Sequence, residues 1–272
     1  AAGKVSEGER LWIQGVEAGA NGDTKLRGEC YQKLVAAYSD DEMSHQLLGF
    51  HYNAIQQYED AAAEYRKAVQ LAPNFAPAYN QLGYALRAVE KNADAEAAFR
   101  RYIELIPNEP NPYDSLAELQ MRMGRFAESI ESYQKALSIN PRFLSAHRGI
   151  AANLMYQDKH KEALESFQKA YELAGTDGEK RLALAGMAVC YMDGDKLKDA
   201  IESINRISAL AEQRGDKALM AGNAVTRGDL LLNAGKIADA EAEFNKALEL
   251  ARQADIPDKV KKNVELRSHS NR

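Results

Sequence analysis

Five histidines and two cysteines are the side chains here best suited to metal binding or nucleophilic chemistry. A structural or catalytic metal needs several such ligands at short, defined spacing, and a reactive thiol needs a base beside it. Neither pattern is present in the sequence. Cys190 stands between Val189 and Tyr191, the setting of a small buried hydrophobe, and Cys30 lies far from it. His45 and His147 fall where neighbouring segments carry Tyr79 and Tyr113, which marks them as packing residues. His51 falls on a helix, His160 in a turn and His269 near the end, none with a second ligand at suitable spacing. The acid-rich runs YSDDE and ELAGTDGE fall at turns and helix starts, where carboxylates favour the helix dipole. No phosphate-binding glycine loop, HExxH, CxxC or GxSxG occurs. No catalytic residue, metal or cofactor is expected.

The charge balance excludes further classes. Thirty-five basic residues against 40 acidic ones give a net charge of -5 over 272 residues, without the basic footprint of a nucleic-acid binder. No apolar run reaches the roughly 20 residues that span a bilayer, so membrane insertion is not expected. The opening AAGKVSEGER has no apolar core segment. No signal peptide is expected in this stretch, which leaves the compartment open: the cytoplasm, or outside it with a signal already removed.

What would position functional side chains is set by a repeat. Pro73, Pro107 and Pro141 are spaced 34 residues apart. The same shift aligns Leu48, Leu82, Leu116 and Ile150, then Gly49, Gly83, Ala117 and Ala151. It also aligns Ala61, Ala95, Ser129 and Ala163, then Tyr65, Phe99, Tyr133 and Phe167. A period of this length is the mark of a repeat array. Within a unit, apolar and small residues recur at helical spacing in two halves joined by a short polar stretch, so each unit reads as two antiparallel helices. The small residue lets the second helix come close, and its aromatic fills the space beside it. The run PNEPNP at 107–112 then reads as an inter-repeat turn, with Pro110 and Pro112 at the start of a helix.

The residues YNQLGYAL, ADAEAAFRRY and Pro107 match a known signature, and the chain resembles the tetratricopeptide repeat family. It is similar above all to bacterial members without assigned chemistry. Units are expected at 8–41 (degenerate), 42–75, 76–109, 110–143, 144–180, 181–220 and 221–254, as one domain over 1–272. Residues 257–272 are expected to be a capping helix or a truncated next repeat. The resemblance implies an all-α, right-handed solenoid of tandem antiparallel helix pairs. It also implies that first helices line a concave groove for a partner peptide or protein.

Carried over residue by residue, the inward places hold Trp12, Gln46, Phe50, Asn53, Asn80, Tyr84 and Arg87. They continue through Asp114, Glu118, Met121, Arg122, Arg148, Met155 and Tyr156. Such aromatic, arginine and amide side chains are what interface anchors tend to be. Second-helix residues such as Glu64 and Arg100 would be neutral surface. The carboxylate clamp of the chaperone-adaptor subfamily is absent, since its places carry Gln46, Phe50, Ser115, Ser145 and Gly149. The expected function is a non-enzymatic protein-interaction scaffold. Two alternatives stand beside it: an interaction or regulatory fragment of a larger enzyme or sensor, and an array that self-associates through its terminal repeats.

Overall fold

The computed structural model describes residues 6–254 together with 258, 261 and 262. Fourteen helices and no strand occur among them. The chain divides into two compact units, 1–141 and 142–272. The expected tail element at 257–272 lies almost entirely outside the described residues.

The first unit holds α1 (Glu7–Ala20) and α2 (Thr24–Ala37), α3 (Glu42–Ala54) and α4 (Tyr58–Leu71), α5 (Ala76–Ala88) and α6 (Asn92–Leu105), α7 (Pro110–Arg122) and α8 (Phe126–Ile139). Within the unit each helix packs against its neighbours in the chain, and α5 also touches α7. The close approach predicted from the small-residue column is seen in the glycines. A Cβ built on Gly49 would lie 2.6 Å from the Tyr65 ring, and one on Gly83 would lie 2.5 Å from Phe99. The ring occupies the space that any larger residue would need. Pro110 opens α7 and Pro112 is buried in its first turn, where no intrahelical N–H is lost. The turn between the helices of each pair contains one left-handed residue. Gly124 takes that place at φ 73°, and Glu90 takes it one period earlier at φ 59°.

The second unit holds α9 (Leu144–Met155) and α10 (His160–Leu173), α11 (Asp177–Asp193) and α12 (Leu197–Glu212), α13 (Lys217–Asn233) and α14 (Ile237–Gln253). Its later pairs begin about four residues ahead of the boundaries expected at 181 and 221. The reason is capping. Thr176 and Glu179 form a reciprocal capping box that starts α11, and the Asp216 carboxylate accepts from the Leu219 N–H to start α13. The packing also departs from the column logic at one place. Phe167 presses on Gly186 of the following first helix, where a Cβ would come within 2.2 Å.

One buried histidine in the first unit ties stability to pH. His51 on α3 faces Gly28 on α2, and its Nδ1 accepts from the Arg27 Nε–H at 3.3 Å. Burial, aided by the Arg27 charge, pushes its pKa below the usual histidine value. The unfolded chain therefore takes up this proton before the folded one. Stability is expected to be flat above about pH 6.5 and to fall as the pH drops below that value. Urea midpoints at pH 7 and 5.5 measure this, and His51→Leu should remove this part of the difference.

Candidate functional site

Four of the residues expected on the inward face are joined in one network on α5 and α7. The Ser115 hydroxyl donates to Asn80 Oδ1 at 3.0 Å. The Tyr84 hydroxyl lies within reach of Ser115 Oγ at 3.1 Å and Glu118 Oε2 at 3.3 Å. Arg87 donates to the same Glu118 oxygen at 3.0 Å, and its guanidinium carbon stands 4.7 Å over the Tyr84 ring. Burial, chiefly, pushes the Tyr84 pKa up to about 12. Its ring also meets Phe99 edge-on at 5.2 Å, so it is part of the core as well as of the surface. Arg87, expected to be an interface anchor, is paired with Glu118.

The remaining positions differ in exposure. Phe50 is exposed and meets Tyr65 edge-on at 5.9 Å, while Asn53 and Met121 are half-buried. Gln46 and Asp114 are buried, and the Gln46 Oε1 has no hydrogen-bond partner among the described residues. Arg122 is exposed. In the second unit, Tyr156 at the end of α9 is 68% exposed, Arg148 is half-buried, and Met155 packs against the core. Glu64, expected to be neutral surface, is held by buried His45, whose Nδ1 lies 2.6 Å from its carboxylate. It is not a neutral control. Lys67, exposed on the same helix, serves better.

The first unit also has an open apolar pocket of about 450 Å³ that the column reading only touched. Trp12 of α1, half exposed at 49%, lines it together with Leu34 and Tyr38 at the end of α2, and Met43 and Leu47 of α3. Its carboxylates are already engaged. Glu9 is bonded to Ser6, and Asp41 accepts from the Ser44 N–H at 2.8 Å. Met43 stands 31 residues after Trp12, just as Ser115 follows Tyr84 and Glu118 follows Arg87. That offset, about one turn short of the period, joins side chains of successive first helices here, beside pairs 34 and 35 apart, and it was the available signal for the missed residues.

Sequence distance concealed one further cluster. His160 Nε2 lies 2.7 Å from Asp193 Oδ2, and Asp158 completes a group whose ligand atoms fall within 4.8 Å of one another. Both carboxylates are exposed, and the contact links His160, the first residue of α10 rather than a turn residue as expected, to the end of α11.

Comparison with known proteins agrees with this geometry. A TPR repeat model matches residues 49–90, and tetratricopeptide repeat models match 76–109, 110–143 and 223–253. The chain is a tetratricopeptide-repeat protein. Its repeats superpose on a crystal structure of MamA protein with 28% identity and a TM-score of 0.55, covering 61% of this chain and 91% of that one. A tetratricopeptide repeat protein from Parabacteroides merdae shares the fold at 15% identity and a TM-score of 0.67, covering 97% and 99% of the two chains. A chain of the APC/C hetero-tetramer Cut9-Hcn1 does so at 14% identity and 0.61, covering 96% and 48%. No curated protein matches. Among the described residues no helix is long and apolar enough to cross a membrane.

Proposed function

We propose that this tetratricopeptide-repeat protein is a non-catalytic interaction scaffold that holds a partner peptide or protein on the faces of its first helices. The observation that carries this reading is the open pocket around Trp12 and Met43. Large apolar side chains stand there in water although the core beside them is well packed, and such exposed patches mark interaction sites. Phe50 and Tyr156 extend the same character to other first helices. The network of Asn80, Tyr84, Arg87 and Glu118 would then present fixed polar groups rather than a free charge. The repeat class supports this assignment, because its members serve chiefly as interaction modules.

The test is capture of a partner by the intact chain, followed by titration of variants. Trp12→Ala and Met43→Ala are expected to weaken binding by more than about 1 kcal/mol each, as anchor residues do. Lys67→Ala should be neutral. Equal affinity for all three variants would place the partner elsewhere. Tyr84→Ala is a poor probe, since the Phe99 contact makes it a stability variant too.

A further inference from the structure

The second unit has a pocket at the same address as the Trp12 pocket, between two successive first helices and the second helix beneath them. It is lined by α9, α10 and α11, and its volume is about 610 Å³. Its character is different. Leu144, Leu173 and Leu182 form apolar walls, and Arg142 and Arg148 bring positive charge.

Arg148 stands two periods after Asn80, near the start of α9, and shares with Arg87 only the offset to a glutamate on the next first helix. The residue 31 positions after Arg87 is Glu118, which accepts its hydrogen bond. The residue 31 positions after Arg148 is also a glutamate, Glu179. Its carboxylate is turned instead to the capping box of α11, accepting from the Gly175 N–H at 2.8 Å, the Thr176 N–H at 2.9 Å and the Thr176 hydroxyl at 3.1 Å. Those bonds, led by the Gly175 N–H, hold its carboxyl below the usual range, and the field of Arg148 adds to this. The Arg148 Nε is buried with no hydrogen-bond partner among the described residues. That nitrogen is closed to solvent, but Arg148 itself lines the pocket half-buried, and a carboxylate entering there would meet its guanidinium with charge assistance.

We infer that this pocket binds an acidic segment of a partner peptide, with one carboxylate taken by Arg148 and an adjacent aliphatic side chain set between Leu173 and Leu182. This rests on the scaffold reading above and names the chemistry of its partner. Charge complementarity selects the acid, and the apolar walls select its neighbour.

The experiment uses the intact chain to select from a displayed library of random peptides. Enriched sequences are expected to pair Asp or Glu with Leu, Ile or Val. Synthetic versions with the acid replaced by its amide should bind at least 10-fold more weakly to the parent protein, a comparison that needs no protein variant. Arg148→Gln, checked for unchanged helicity, should bind acid and amide versions alike. Enriched peptides whose acid and amide forms bind the parent equally would overturn the pocket assignment and leave the scaffold reading standing. Retained discrimination in Arg148→Gln would do the same. No enrichment at all would overturn both.

Discussion

Phe99→Ala is expected to cost the first unit about 3–5 kcal/mol, the range for removing a large buried aromatic. Phe99 is fully buried, among Leu82, Leu86, Leu116 and Leu119. Its ring also fills the space left open by Gly83, so its loss empties both sides of the joint between α5 and α6. The backbones already approach as closely as the glycine allows, and the cavity has little room to collapse. Against a typical total of about 5–15 kcal/mol, this is a large share. Because repeats contact only their neighbours, the loss should be local, with early unfolding around α5 and α6. Urea unfolding with hydrogen exchange measures both parts, and a cost below about 1 kcal/mol would contradict this packing account.

Glu243→Ala should be comparably damaging in the second unit, at about 3 kcal/mol. Arg227 on α13 is buried, and its guanidinium donates to Glu243 on α14 at 2.9 and 2.8 Å and to the Ser208 hydroxyl at 2.9 Å. Removing the carboxylate leaves a buried cation with one neutral acceptor, a change that costs roughly 3–5 kcal/mol in well-enclosed pairs. The Glu243 side chain is 25% exposed, so water can partly replace it and the low end of that range applies. The double variant Arg227→Met, Glu243→Leu should recover most of the loss, since neither charge is then stranded. Thermal unfolding of the three proteins decides the matter. A double variant no better than Glu243→Ala would mean that packing, not charge, is at stake.

The period and the small-to-aromatic columns made the helix pairs of α3 to α10 legible, because one close-packing rule repeats there. The later boundaries were less clear. T-D-G-E at 176–179 reads equally well as a polar turn, and only the capping box shows that a helix starts inside it. The inward face was legible in outline, since Asn80, Tyr84, Arg87 and Glu118 do come together. Their pairing was not, because columns compare equivalent places, while contacts between neighbouring first helices join residues 31, 34 and 35 apart. For the same reason Arg87 and Arg148 read alike, as inward-facing arginines. In the structure the first has its counter-ion, and the Nε of the second has no acceptor among the described residues.

Site-specific photocrosslinking tests the central claim most directly. A photoreactive phenylalanine would be placed singly at first-helix positions Met43, Phe50 and Tyr156, and at exposed second-helix positions Lys67, Arg100 and Lys169. Illumination with the captured partner or selected peptides is predicted to give adducts from the first set and little or none from the second. Adducts confined to the second set, or equal from both, would contradict an interaction scaffold that works through its first helices.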